Sequence, residues 1–261
     1  MNELFQVALN AAQVAGDHIE KSAGKLGSID YKGRADMVTD VDRTSERLIV
    51  ESIHETFPDH DILAEESDVE QSDAETRWII DPLDGTTNFV HGYQHYAVSI
   101  AVEQNGELVI GIVHNSKDGE LYSAIRGQGA FLNKEPIQVS STEKLSSSLL
   151  STGLPYKVSE RWYKSMELFK LFYYRSHGVR RDGSAALDLC YVASGRFDGF
   201  WELDLNPWDV AAGTLILQEA GGTVSKFDGS GSTIFDGEIL ASNGKIHQAM
   251  QDVIGLVPSG E

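Results

Sequence analysis

The sequence predicts a mixed α/β fold, and two observations carry that prediction. Helix-period runs and short strand-like runs alternate through both halves of the chain, which is the pattern of helices packed on sheets. Hydrophobic residues make up 41% of the 261 positions, enough for a substantial core in one large domain or two intimate ones. No internal repeat or low-complexity tract suggests a solenoid or a disordered chain instead.

Taken in order, Leu4, Val7, Ala8, Ala11, Ala12, Ala15 and Ile19 recur at helical spacing and predict an amphipathic first helix ending near Gly24. A second helix is predicted from Thr39 to Phe57, with acidic residues in its first turn. Asp61–Leu63 and Trp78–Ile80 read as buried strands. Tyr96–Glu103 and Leu108–Val113 read as a hairpin, because Asn105-Gly106 between them suits a two-residue turn. Asp118-Gly119 marks a second turn, and Gly127 to Gly129 opens a loop.

The Ser-rich stretch from Ser140 to Ser148 is the candidate junction, dividing the chain into an N-terminal half, 1–140, and a C-terminal half, 141–261. Beyond it, helices are predicted near Tyr163–Phe172, from Ser184 to Ser194 and from Asp209 to Ala220. Strands are predicted at Gly199–Glu202 and Thr223–Ser225.

Charge narrows the possible partners. There are 21 basic and 40 acidic residues, a formal net charge of −19. Such a surface repels nucleic acid and anionic lipid. A protein this acidic that binds a phosphate ester must neutralise the ester locally, and surplus carboxylates are what hard divalent cations require. Cys190 is the sole cysteine, so an internal disulfide and a thiolate metal cluster are both excluded. It lies in an apolar helical pattern and is expected to be buried rather than nucleophilic. Met1 to Phe5 lacks the layout of a signal peptide, and no apolar run reaches the roughly 20 residues of a bilayer span. The expected compartment is the cytoplasm.

The most informative segment is Trp78-Ile79-Ile80-Asp81-Pro82-Leu83-Asp84-Gly85-Thr86-Thr87-Asn88-Phe89. A buried strand runs into two aspartates three residues apart, and the proline between them predicts a sharp turn as the strand ends. Both carboxylates then face one space at the strand's C-terminal end, where open α/β sheets bind ligands. Gly85 permits close backbone approach, and a helix starting here supplies free N–H groups for an anion. Two further acidic sites sit comparably: Glu65 and Glu66 follow the strand Asp61–Leu63, and Asp209 sits at the N-cap or first turn of the helix Val210–Leu217. Singly, each also reads as a helix cap or a solvated turn; together they have the makings of a metal centre.

At these residues the sequence resembles the inositol monophosphatase family. The resemblance is carried by W-I-I-D-P-L-D-G-T-T-N-F, the upstream A-E-E-S and the downstream P-W-D-V-A-A-G with E-A-G-G, and runs from about Asp36 to Asn243. It implies a layered α/β/α/β sugar-phosphatase fold, a homodimer, lithium inhibition and two or three Mg2+ ions. By motif, Glu65, Asp81 and the Leu83 carbonyl hold the first ion. Asp81, Asp84 and Asp209 hold the second, and Glu65 serves a third, weaker ion or its waters. Gly85 and Thr86 N–H groups hold the phosphate, with Thr87 beside them, and Asp42 pairs with Thr86 to orient and deprotonate the attacking water. Ser184 and Ala185 lie beside the substrate, and Glu202 accepts hydrogen bonds from ring hydroxyls.

Two departures stand out. Asp182 is an acid where family members mostly carry a neutral residue; it disfavours a second phosphate nearby or pairs with Arg180 or Arg181. Lys32 and Arg34 are both candidates for a loop lysine of the family. His91 and His95, four apart beside the main motif, mimic a zinc-ligand pair, but a carboxylate-rich site suits magnesium. His91 is instead expected to pack or hydrogen-bond near the mouth.

The resemblance implies a phosphomonoesterase for myo-inositol 1-phosphate or a similar small phosphate ester. Relatives of the same fold act on fructose 1,6-bisphosphate, histidinol phosphate, 3′-phosphoadenosine 5′-phosphate or NADP. The alternative class is a regulatory protein that keeps the fold and binds a protein or RNA partner. The charge argues against RNA, and a degenerate site would have lost ligands that are all present here. A calcium module would need a contiguous loop such as an EF-hand, and none appears.

Overall fold

The structure is a computed structural model that describes residues 1–25, 29–31, 37–67 and 74–257; Lys32 and Arg34 lie outside the described residues. The helices are α1 (Asn2–Ser22), α2 (Asp40–His54), α3 (Thr86–Val90), α4 (Glu160–Arg175), α5 (Ala185–Ala193), α6 (Pro207–Glu219) and α7 (His247–Ile254). The strands of the first half are β1 (Ile29–Tyr31), β2 (Met37–Thr39), β3 (Asp61–Ala64), β4 (Thr76–Asp84), β5 (Ala97–Gln104), β6 (Glu107–Asn115), β7 (Glu120–Ile125), β8 (Ala130–Leu132) and β9 (Glu135–Ile137). Those of the second half are β10 (Leu149–Thr152), β11 (Gly178–Arg180), β12 (Gly199–Leu203), β13 (Thr223–Ser225) and β14 (Glu238–Ser242).

β3 to β9 form a seven-stranded sheet in chain order. β3 runs parallel to β4, and the later neighbours pair antiparallel. Its β5–β6 hairpin turns at Asn105 and Gly106 with φ of 51° and 79°, the two positive values a type I′ turn needs. The second sheet has the order β11-β10-β12-β14-β13. The first sheet ends at Ile137 and the second begins at Leu149, so the Ser-rich stretch lies between them.

Three apolar clusters stack these elements into layers. α1 and α2 bury one face against the large sheet, where Ala8, Ala11, Ile19, Ile49 and Ile53 meet Trp78, Ile80 and Ile100. On the other face, α5 and α6 fill the space between the two sheets, with Leu187, Leu189, Ala212 and Leu215 set against Ala101, Val113, Phe200 and Ala241. α6 is buried along nearly its whole length, as a helix sandwiched by two sheets must be. The expected layers are therefore present, and α4 and α7 add one more by packing Leu168, Phe172 and Met250 on Trp201 and Leu240. Cys190 is fully buried in the central layer. Among the described residues, no helix is long and apolar enough to cross a membrane.

One expectation needs correction. The strand at Trp78–Ile80 does not stop before Pro82; β4 continues to Asp84. The expected sharp turn is instead a bulge. Asp81 pairs with Ser99 and Asp84 with Ala97, so three steps on β4 match two on β5. Proline has no N–H for the ladder, and a bulge is where a strand tolerates that.

Candidate functional site

The bulge is what makes the motif a site. In a regular strand, residues three apart point to opposite faces. The extra residue between Asp81 and Asp84 shifts the phase by one, so both side chains open into the same cleft. Ser45 of α2 donates to the Pro82 carbonyl at 2.8 Å, and the Leu83 N–H donates to Asp81 Oδ1 at 3.0 Å. The cleft encloses about 150 Å³ and is lined by Glu65, Asp81, Leu83, Asp84, Gly85, Thr86, Thr87, Ser184, Ala185, Glu202 and Asp209. A larger cavity of about 400 Å³ shares only Leu205 with it and holds none of these carboxylates.

Gly85 then turns the chain with φ 96° as the cap of α3. A Cβ there would lie 2.9 Å from the His95 carbonyl oxygen and 3.2 Å from Tyr96 Cβ, so only glycine fits. Thr86 is consequently the first helical residue rather than the cap. Its hydroxyl lies 2.8 Å from Asp42 Oδ1 and 3.0 Å from the Leu83 carbonyl oxygen. The other oxygen of Asp42 accepts from the Thr39 N–H at 2.9 Å and the Thr39 hydroxyl at 2.5 Å, closing a capping box at the start of α2. Burial still raises the Asp42 pKa against these bonds. Asn88 donates to the carbonyls of His95 at 2.7 Å and Asp182 at 2.8 Å, tying α3 to the turn before α5.

The remaining acids arrive from elsewhere. Glu65 follows β3, and its loop is held by Glu46 of α2, which accepts from the Glu66 N–H at 2.8 Å and from the Ser67 hydroxyl. Asp209 is the third residue of α6, which starts at Pro207, and it accepts from the Asn206 N–H at 2.6 Å in a second capping box. Ser184 caps α5 and donates to Asp84 Oδ2 at 2.7 Å, while the Ala186 N–H donates to the same oxygen at 2.8 Å. The α5 N-terminus thus holds Asp84, a role the sequence reading did not assign.

Burial dominates the electrostatics, and like charge adds to it. Burial, then Glu65, Asp84 and Asp209, hold the Asp81 carboxyl well above its ordinary value. Burial pushes Asp84 up to about 6 against its bonds to Ser184 and α5. Asp209 is raised by burial and then by Asp84. Glu202 is raised to about 8 by burial; Arg181 lowers it and Asp84 raises it. A buried carboxylate crowded by half-buried ones favours a bound cation, and an all-oxygen donor set suits magnesium. These four acids share one cleft. The tighter grouping among the described residues, with ligand atoms all within 4.8 Å of one another, is a different one: His95, Asp182 and Asp188.

That grouping corrects two expectations. The ion pairs of the described residues include neither Asp182 with Arg180 nor Asp182 with Arg181; Asp182 turns toward His95 and Asp188. His91, expected to pack or hydrogen-bond near the mouth, is exposed and does not line the cleft. Sequence reasoning also passed over Gly153, where a Cβ would fall 1.8 Å from Glu202 Oε1. A glycine directly after a short apolar strand and before Leu-Pro was the available signal.

Comparison with known proteins shows the family. The inositol monophosphatase family profile matches residues 1–255. An inositol-1-monophosphatase of Synechocystis is 46% identical over 256 residues, covering 97% of this chain and 89% of that protein. A protein of Neisseria meningitidis named as a putative Nus factor SuhB is 44% identical over 257 residues, covering 97% and 98%. The crystal structure of the extragenic suppressor protein suhB from Bartonella henselae superposes with a TM-score of 0.92 at 38% identity, covering 97% of this chain and 98% of that one. The chain belongs to the inositol monophosphatase family.

Proposed function

We propose that the protein is a magnesium-dependent phosphomonoesterase that hydrolyses myo-inositol 1-phosphate or a similar polyol phosphate. The observation that carries this reading is the burial of Asp81 among the charges of Glu65, Asp84 and Asp209. A buried acid surrounded by acids is costly unless a cation joins them.

Glu65, Asp81 and the Leu83 carbonyl would hold one Mg2+, and Asp81, Asp84 and Asp209 a second. Glu65 would also serve a third ion or its waters. Ions bound there lower the pKa of water and offset charge on the attacking and leaving oxygens. The chain does the rest. The first N–H groups of α3, from Gly85 onward, have no acceptor within the helix and face the phosphate oxygens beside Thr87. Thr86 accepts a proton from the attacking water as it passes its own to Asp42 Oδ1, 2.8 Å away. Glu65 orients water on the opposite side. Glu202 accepts from a ring hydroxyl, and Ser184 and Ala185 line the same wall.

The substrate is tested by phosphate release from a panel of phosphate esters, including inositol 1-phosphate, histidinol phosphate, fructose 1,6-bisphosphate, 3′-phosphoadenosine 5′-phosphate and NADP. Highest kcat/KM on an inositol phosphate supports the reading. A preference for a nucleotide contradicts it, because the −19 charge repels further phosphates. Lithium inhibition belongs to the same proposal, as do a cytoplasmic location and a homodimer. Exposed Tyr163, Met166, Tyr173 and Tyr174 on α4 support self-association.

The relative named as a Nus factor supports a second reading, in which the same fold also binds a partner. The charge disfavours RNA as that partner. Full phosphatase activity in a sample free of any other protein or nucleic acid would leave the first reading sufficient.

A further inference from the structure

His95 and Asp182 stand out in the sequence, and the phosphatase mechanism uses neither. Both belong to a cluster beside the cleft. His95 precedes β5, Asp182 lies in the turn before α5 and Asp188 is on α5 itself. Each offers a ligand atom, and these atoms lie within 4.8 Å of one another.

Proximity alone would carry little, since acidic groups often cluster. The buried polar atoms say more. His95 is 7% exposed and Asp188 1%. Yet His95 Nε2 and Asp188 Oδ1 are both buried without a hydrogen-bond partner. Buried polar atoms are nearly always satisfied, so two orphans in one cluster call for a ligand. The surroundings fix its sign. Asp182, Glu202 and Asp84 all act on Asp188 and hold its carboxyl well above the ordinary range after burial. Burial lowers the His95 pKa, and a neutral imidazole is the form that ligates metals.

We infer that His95, Asp182 and Asp188 form a separate transition-metal site of the Zn2+ class. One imidazole nitrogen with two carboxylates is a zinc donor set, whereas the cleft's oxygen-only set suits magnesium. Zinc bonds of roughly 2.0–2.2 Å draw tetrahedral donors to about 3.5 Å apart, a change that rotamer adjustment in three side chains supplies. The aromatic rings of Tyr93 and Tyr191 stand 6.2 and 5.6 Å from the His95 ring and wall the site on that side. Asp188 also lines the phosphatase cleft, so occupancy would draw negative charge away from the substrate.

The test is equilibrium dialysis against Zn2+ with magnesium in excess, so that the cleft is already filled. The wild type should retain one Zn2+ equivalent more than His95→Gln. Asp182→Asn, whose side chain is only half-buried, should bind that equivalent at least tenfold more weakly with an unchanged circular dichroism spectrum. Asp84→Asn should keep it, which separates this site from the phosphatase centre. X-ray absorption of the zinc-loaded wild type should show one imidazole nitrogen at about 2.0–2.1 Å. Equal zinc retention in wild type, His95→Gln and Asp182→Asn, or an oxygen-only zinc shell, overturns the inference.

Discussion

The Thr86 hydroxyl lies 2.8 Å from Asp42 Oδ1, joining residues 44 apart in the chain. The capping box at α2 fixes Asp42, and the left-handed turn at Gly85 fixes Thr86. If this pair takes the proton from water, Asp42→Asn should lower kcat about 10²–10⁴-fold with little change in KM, the usual range for a general base. Steady-state kinetics on inositol 1-phosphate checks this. An unchanged kcat would remove Asp42 from the reaction.

Gly85→Ala should damage both fold and function. A side chain at φ 96° is strained, and its Cβ meets the His95 carbonyl at 2.9 Å. The expected loss is about 1–3 kcal/mol of stability together with weaker phosphate binding, because the N–H groups of α3 shift. Thermal melts and inorganic phosphate inhibition measure the two effects.

Glu202→Gln should raise KM for inositol 1-phosphate about tenfold, equivalent to roughly 1.4 kcal/mol. It should leave a phosphate ester without ring hydroxyls unaffected. Gly153→Ala should mimic it, since the added Cβ occupies the place of the Glu202 carboxylate. Parallel loss on both substrates would make Glu202 a structural residue only.

Metal-free stability should fall as pH rises from about 4.5 to 8. Asp84 and Glu202 titrate near 6 and 8 in the fold, and Asp81 is raised as well, against about 4 in an unfolded chain. The native state therefore binds more protons across that window, and stability declines with pH through it. Magnesium should flatten the slope by compensating the ionised groups. Melting temperatures with chelator and with magnesium, at pH 5, 6.5 and 8, decide it. A metal-free protein that gains stability toward pH 8 contradicts the assignment.

What the sequence made legible follows from where the physical signal lay. α1, α2 and the β5–β6 hairpin were readable because burial on one side imposes a period, and Asn105-Gly106 has few other uses. β8, β9, β10 and β11 are three or four residues long, too short for alternation to register, and β14 was missed beside a loop rich in Gly and Ser. Asp81, Asp84, Glu65 and Asp209 stood out by motif, and the structure brings them to one cleft. The reason Asp81 and Asp84 face the same side was not legible, because a bulge depends on what the partner strand does. Pro82 suggested a turn, whereas β5 keeps the strand going. Glu46 and Gly153 were invisible for the same reason, since each acts on a residue far along the chain.

Phosphate release from inositol 1-phosphate, measured with magnesium, with chelator and with Asp84→Asn, decides whether acids from three stretches of the chain act through bound magnesium. Activity should be lost with chelator, restored by added Mg2+, and at least 10²-fold lower in the variant. Undiminished hydrolysis in chelator and in Asp84→Asn would contradict it.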